Sequence, residues 1–376
     1  NNSSLFLSPG AKYKLIFAIN SLFGGGAERV ISNLGNYFYN KGFDVTMVCL
    51  NEAKPAYHLE KGIKIISLVS NIRNQSFFFR LWYGGVTLFK LLFILIKEKP
   101  SCVVSFMTSA NIWMGLTCNL LRTPYLVSER ITPDYTVHQL NHFLRWLSAR
   151  VYSKSKAIVV PSKGMVDGFR KNKSFSALSN FEVINNPVSQ FSAACIERVY
   201  PRKFILSVGR LDHQKGFDLL IKAYKKLEMQ DVDLLISGEG GERENLERQI
   251  KDLNLNGRVK LIGYQKNLQD YYRQAEMFVL SSRNEGYPNV LVEAMSLGCA
   301  CVATNCEFGP SDIIENEENG LLVEANSIKY LSEAIERTMS DPALKIKMSV
   351  NAQLINQTNS LENTFAKWEK LILTHI

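Results

Sequence analysis

The chain predicts an α/β fold made of two doubly wound parallel sheets in tandem. Its 376 residues exceed what one hydrophobic core usually organises, so two domains are expected. The composition, 46% hydrophobic, 21% charged and 11% aromatic, is that of an ordinary globular protein and excludes a disordered chain or a small stapled scaffold. Short apolar runs alternate with longer helical patterns twice along the sequence, which is the signature of parallel βαβ units.

In the first half, strands are expected at 15–20, 45–50, 64–68, 102–106, 125–128, 157–160 and 183–185, with helices such as 27–40 and 142–152 between several of them. Residues 186–202 contain Pro187 and Pro201 and no clear period, so 187–202 reads as a linker. A second series then offers strands at 204–208, 233–237, 259–262, 277–280 and 300–304, with helices at 218–227, 241–253, 268–274 and 290–297. The domains that follow are 11–186 and 203–358, with a tail, 359–376, whose terminal amphipathic helix at 361–374 is free to pack back on the first domain. Two Rossmann-like halves of this kind face each other across a cleft at the carboxyl ends of their strands, where ligands of such sheets bind.

The net charge of +9 hides an asymmetry. Residues 1–185 carry 22 Lys/Arg against 9 Asp/Glu, or +13, whereas 186–376 carry 22 against 26, or −4. The first half therefore suits an anionic partner, either an acidic membrane surface or a phosphorylated acceptor, or else simply has a basic solvated face. Nucleic acid is not expected, because no zinc-finger spacing, aromatic RNA-binding signature or Arg-rich tract accompanies the charge. Seven scattered cysteines in a chain this long fit a reducing cytoplasm, and the cluster Cys299, Cys301 and Cys306, in an apolar run without a nearby His, reads as small buried hydrophobes and not as a metal site. The opening ten residues have neither an initiator Met nor a charged n-region and do not read as a signal peptide.

The stretch 77–96 is dense in Phe, Leu, Trp and Ile but interrupted by Arg80 and Lys90, and its uninterrupted apolar core is far shorter than the roughly 20 residues that span a bilayer. Two readings stand: a helix buried against its sheet, or a helix whose apolar face sinks into a membrane interface. In the second, Phe77, Phe78, Phe79 and Trp82 enter the lipid and Arg73, Arg80 and Lys90 meet headgroups.

Chemistry is concentrated in four places. Gly24, Gly25 and Gly26 follow the first strand and open a helix, where backbone N–H groups can approach an anion or simply make a turn. Gly209 and Arg210, with Lys215 five residues on, lie just after a strand and can converge on a diphosphate. Gly238 sits in a Gly-bounded loop after the next strand. The stretch from Ser281 to Met295 carries Glu285, Gly286, Tyr287, Pro288, Asn289 and Val290 in a tight loop leading into a helix, with Glu293 in the first turns of that helix. On its own, Glu293 is equally a favourable helix charge.

Taken together, in this order and at these separations, the motifs closely resemble family 4 of the retaining GT-B glycosyltransferases. The resemblance covers nearly all the chain after the first dozen residues. It implies a GT-B fold, transfer with retained anomeric configuration, and no divalent metal or other cofactor, the nucleotide sugar being a co-substrate. By residue, it implies that Arg210 and Lys215 hold the donor diphosphate and stabilise the leaving group. Glu285 lies beside the donor sugar, and the backbone of Gly286, Tyr287, Pro288, Asn289 and Val290 contacts sugar hydroxyls and phosphate. Glu293 takes the ribose hydroxyls, Gly238 lies near the nucleotide, and Tyr264, Gln265 and Leu268 edge the base. Gly24, Gly25 and Gly26 face the phosphates and acceptor. Many relatives have a His in the first domain where this chain has Ser128-Glu129-Arg130, so Glu129 and Arg130 are assigned to the acceptor side. The stretch Asn305 to Ile314 resembles a variant found among transferases that use UDP-hexoses or UDP-N-acetylhexosamines, which favours UDP over GDP. Asp231-Val232-Asp233 has the form of a metal-binding Asp-x-Asp, but it precedes a strand and reads as a chance match.

The expected activity is therefore transfer of a hexose or N-acetylhexosamine from a UDP-sugar to a lipid-linked or lipopolysaccharide-type saccharide, by a cytoplasmic enzyme peripheral to the inner face of the cell membrane. The alternatives are a GDP-mannose-dependent or soluble-acceptor transferase and, in another class, a non-catalytic nucleotide-sugar-binding module. The last would bind donor but show neither transfer nor slow hydrolysis.

Overall fold

A computed structural model describes residues 13–23, 25–68, 77–191, 197–227, 229 and 231–376, and only the backbone of 77–83. The chain forms two compact units. The first comprises the described parts of 1–160, 166–184 and 365–376; the second comprises 161–165 and 185–364.

The first unit holds β1 (Lys14–Ile19), α1 (Gly26–Asn40), β2 (Asp44–Cys49), β3 (Lys64–Ser67), α2 (Phe77–Glu98), β4 (Cys102–Phe106), α3 (Thr108–Leu121), β5 (Tyr125–Ser128), α4 (His142–Lys154), β6 (Ile158–Val160), most of α5 (Lys163–Arg170) and β7 (Phe181–Val183). All seven strands are parallel, in the order β3-β2-β1-β4-β5-β6-β7. The central strands read as unbroken apolar runs because helices cover both faces, and Leu15 to Ile19 is fully buried. The expected strand at 183–185 forms two residues earlier, at β7. It is a short edge strand with no fully buried residue, so its sequence carries little apolar signal to fix its bounds.

The second unit holds β8 (Lys203–Val208), α6 (Phe217–Lys225), β9 (Val232–Ser237), α7 (Arg243–Asp252), β10 (Val259–Gly263), α8 (Leu268–Gln274), β11 (Met277–Leu280), α9 (Asn289–Ser296), β12 (Cys301–Asn305), α10 (Pro310–Ile313), β13 (Leu321–Glu324), α11 (Ile328–Ser340), α12 (Pro342–Ala352) and α13 (Ile355–Thr358). Its six strands are also parallel, in the order β10-β9-β8-β11-β12-β13. Side chains alternate across it: Ile205, Leu234 and Ile236 pack with α6, α7 and α11, while Phe204, Leu206 and Leu235 pack with α8 and α9. β13, α11, α12 and α13 are absent from the sequence expectations.

The stretch expected as a linker belongs to the second unit. Val188, Val199 and Tyr200 pack on its core, and the Val188 amide donates to the Asn359 carbonyl (2.8 Å). The break between units falls at 184/185, and the second unit runs on to Thr364. The last helix, α14 (Leu361–Leu373), then joins the first unit. Phe365, Trp368 and Ile372, at spacings of three and four, make one buried stripe. Trp368 stacks on Phe106 at 5.7 Å, and the Tyr37 hydroxyl donates to Glu369 (2.5 Å).

Candidate active site

In the second unit the chain winds outward from β8 to β10, returns to β11 beside β8, and winds the other way. The loops after β8 and β11 thus part at the carboxyl ends of adjacent strands, which is where parallel sheets bind ligands. Backbone bonds lock the two loops together. The Arg283 amide donates to the Gln214 carbonyl (2.8 Å), the Gln214 side chain to the Asn284 carbonyl (2.8 Å), and the Ser281 hydroxyl to the Lys215 carbonyl (2.9 Å). Gly216 has φ +65, and a Cβ there would lie 2.1 Å from the Ser281 carbonyl oxygen, so this junction requires glycine. Arg283 adds a fork: its guanidinium binds both oxygens of Asp218 (2.7 and 2.8 Å). Burial opposes the Asp218 charge, but the Arg283 bonds and charge prevail and hold its pKa below the usual carboxylate range.

This scaffold brings Lys215 and Glu285 together. Lys215 Nζ lies 2.6 Å from Glu285 Oε1, which also accepts from the Ser282 hydroxyl (2.6 Å). Glu285 is buried and Lys215 mostly so. The Asp212 side chain caps the turn that carries Lys215, accepting its amide (3.2 Å). Such a charge pair is oriented by its surroundings before any ligand arrives, and in a partly dry site each member acts strongly on charge that develops nearby. Arg210, from the same loop, is exposed and has no side-chain partner among the described residues.

The neighbouring residues fall into two groups. Gly238 has φ +144, and a Cβ would sit 1.8 Å from the Gly209 carbonyl oxygen, so the backbones leaving β8 and β9 touch there. Next to it, after β10, Tyr264 is 80% exposed, while Gln265 is held by the Ile262 carbonyl (2.6 Å) and the Tyr271 hydroxyl (3.3 Å), and Leu268 packs on the core. At the other side, Gly286, Pro288, Asn289 and Val290 lead into α9, and Asn186 donates to Asn289 (2.8 Å). Tyr287 is turned inward: it is buried, and its hydroxyl accepts from Asn359 (2.5 Å), so only its backbone faces a ligand. Glu293 sits on the fifth residue of α9, buried, accepting from Ser189 (2.8 Å) and Tyr272 (3.4 Å). Burial and Glu293 together push the Tyr272 phenol far above its usual pKa.

The remaining expected residues lie in the first unit. Gly25 caps α1 and Gly26 begins it at the carboxyl end of β1; Gly24 and Arg73 lie outside the described residues, as do the side chains of Phe77, Phe78, Phe79, Arg80 and Trp82. The acceptor assignment of Glu129 needs correcting. It has no exposed surface, and its oxygens accept from Thr108 (3.0 Å), Asn111 (3.1 Å) and Tyr152, so it is a buried structural carboxyl. Arg130 lies 4.9 Å over the Phe106 ring and 5.6 Å over Trp368.

Of the two aspartates in Asp231-Val232-Asp233, Asp231 is exposed and Asp233 buried. It accepts from Tyr200 (2.7 Å) and pairs with Arg202 (3.3 Å), so its charge is already engaged. Cys299, Cys301 and Cys306 are buried, which pushes the thiols of Cys299 and Cys306 up to about 12 and that of Cys301 well above normal, as expected of small apolar side chains. Ser282, Gln214, Asp212 and Ser189 support the site without having been singled out in the sequence. Ser282, Gln214 and Asp212 lie within three residues of a marked residue, whereas Ser189 does not.

Comparison with known proteins agrees with this layout. The family described as Glycosyl transferases group 1 matches residues 196–355, and Glycosyltransferase Family 4 matches 24–190. The Campylobacter jejuni N-acetylgalactosamine-N,N'-diacetylbacillosaminyl-diphospho-undecaprenol 4-alpha-N-acetylgalactosaminyltransferase is 30% identical over 348 residues, 88% of this chain and 92% of its own. The amylovoran biosynthesis glycosyltransferase AmsD of Erwinia amylovora is 26% identical over 371 residues, 96% of this chain and 99% of its own. Among solved structures, Anabaena Alr3699/HepE in complex with UDP is similar with a TM-score of 0.78 at 17% identity, covering 96% of this chain and all of that one. With consecutive family matches in both halves and a relative at 30% identity over nearly its full length, this chain belongs to the family-4 glycosyltransferases of GT-B fold.

Proposed function

We propose that this glycosyltransferase moves a hexose or N-acetylhexosamine from a UDP-sugar to a lipid-linked or lipopolysaccharide-type saccharide, with retention and without a metal, on the cytoplasmic face of an anionic membrane. The observation that carries the reading is the Lys215–Glu285 pair, 2.6 Å apart at the switch point of the second sheet. Lys215 and Arg210 offset charge on the departing diphosphate, Glu285 orients the sugar, and Glu293 accepts the ribose hydroxyls. The bond from the anomeric carbon to the diphosphate breaks as the acceptor hydroxyl attacks the same face, and the leaving phosphate oxygen takes the hydroxyl proton. A preorganised donor of this kind is worth about 3 kcal/mol, a factor of roughly 100 to 1,000 in turnover. Exposed Tyr264 provides a face on which a base can stack. The lipid-linked acceptor is supported by the name of the Campylobacter relative, and the membrane surface by the +13 charge of residues 1–185.

Calorimetric titration with UDP and with GDP, each with a chelator present, tests the donor. Tight UDP binding is expected. Preference for GDP redirects the donor to mannose-type sugars, and binding of neither removes the site. In the same titration Lys215→Ala should leave UDP affinity within a few-fold, while a UDP-sugar turnover assay should show a fall of about a hundredfold or more; unchanged turnover removes Lys215 from the mechanism.

A further inference from the structure

The lower half of α2 carries an apolar stripe that the other described residues of the first unit leave exposed. Phe89, Phe93 and Ile96 are 73%, 66% and 58% exposed. At spacings of four and three they fall within about 60° of arc on the helix, while Leu91, Ile94 and Leu95 fill the opposite face against the sheet. Three large exposed apolar side chains on one helix face are costly in water and mark a docking surface. Beside them, a cavity of about 480 Å³ runs between α2 and the edge strand β3. Ile66, Leu68, Phe89 and Phe93 make it apolar, and Lys90 and Lys97 stand at its rim. Lys90 is tied to β3 by a bond to the Leu68 carbonyl (2.6 Å), which fixes an ammonium group at the edge of the slot.

We infer that this face of α2, with the slot along β3, docks on an anionic lipid bilayer: Phe89, Phe93 and Ile96 enter the headgroup–acyl boundary and Lys90 and Lys97 meet lipid phosphates. Charge decides the occupant. The stripe is set in the half of the chain with net charge +13, which an anionic surface attracts and a neutral apolar partner does not. The mode is interfacial, since no helix among the described residues is long and apolar enough to cross a membrane. The inference rests on the membrane part of the proposed function and gives it an address among the described side chains, residues 89–97.

Vesicle flotation of the full chain tests it, with neutral phosphatidylcholine and with phosphatidylcholine containing about one-third phosphatidylglycerol. Wild type should float with the anionic vesicles only. Phe89→Ser with Phe93→Ser should lower the bound fraction about tenfold, whereas Ile346→Ser with Val350→Ser, which removes two exposed apolar residues of the second unit, should leave it unchanged. If the Phe variant does not fold, Lys97→Gln serves instead and should lower the bound fraction at low salt and make its dependence on salt shallower, because one contact to a lipid phosphate is lost. Equal flotation of the wild-type and Phe variants, loss in the Ile346/Val350 variant, flotation on neutral vesicles, or none on either kind overturns the inference. UDP titration of the same samples separates the claims: a Phe variant that floats like wild type defeats the docking face alone, a wild type that binds UDP but no vesicles defeats the docking face together with the membrane part of the proposed function, and one that floats without binding UDP defeats the donor reading alone.

Discussion

A carboxyl group sealed beneath the end of β5 takes its proton near neutrality. Burial raises the pKa of Glu129 to about 7 against the hydrogen bonds from Tyr152, Thr108 and Asn111 and the charge of Arg130, which lower it. The folded state therefore holds a proton that the unfolded chain releases at about 4.5. The resulting stability is fully present below about 4.5 and is lost as pH rises through about 7, at up to about 1.4 kcal/mol per pH unit. Urea unfolding across this range should show wild type losing stability relative to Glu129→Gln as pH rises; a constant difference would mean that Glu129 titrates normally. At this scale residue type and spacing single out Lys215 and Glu285, which the fold brings to 2.6 Å of each other. Their supports are less legible: Ser282 lies three residues from Glu285 but is a common neutral residue, and Gln214 and Ser189 find their partners in distant loops. Glu129 shows the reverse limit: its place in a marked stretch suggested a ligand contact, and only the closure of Asn111 and Tyr152 over it reveals a buried group.

Between elements, the geometry depends on backbones that touch. Gly238→Ala would place a methyl group 1.8 Å from the Gly209 carbonyl at a φ that side chains avoid, so β8 and β9 must separate where their loops begin. The expected cost is about 3 kcal/mol from strain and overpacking. Chemical denaturation of the variant checks it, and a loss below about 0.5 kcal/mol would mean that the crossing is loose. The strands that build the site were legible because both faces are buried and the apolar runs are continuous; 102–106, 125–128 and 277–280 form where expected. β13 was not, since it is a short, half-exposed edge strand after a loop. α11 does carry the helical period through Leu331, Ala334, Ile335 and Thr338, all buried, but follows the last motif with chemical content and bears none itself.

Across the whole chain, the boundaries were the least legible feature, because a boundary is set by which core a segment packs on and not by its own composition. Residues 187–202 look like a linker yet pack on the second unit, and the last twelve residues return to the first. Trp368 carries much of that return, stacked on Phe106 beneath Arg130. Trp368→Ala should therefore destabilise the first unit by about 3–5 kcal/mol, as a large buried aromatic does. Hydrogen exchange should locate the loss in β1, β4 and β5 and leave the second sheet protected; uniform deprotection would show that the helix supports both units equally. The same return imposes an order on synthesis. The second unit draws on nothing beyond Thr364, whereas the first needs Phe365, Trp368 and Ile372. The first unit, translated ahead of the second, therefore lacks the Phe365, Trp368 and Ile372 part of its core until residues 365–376 have been made.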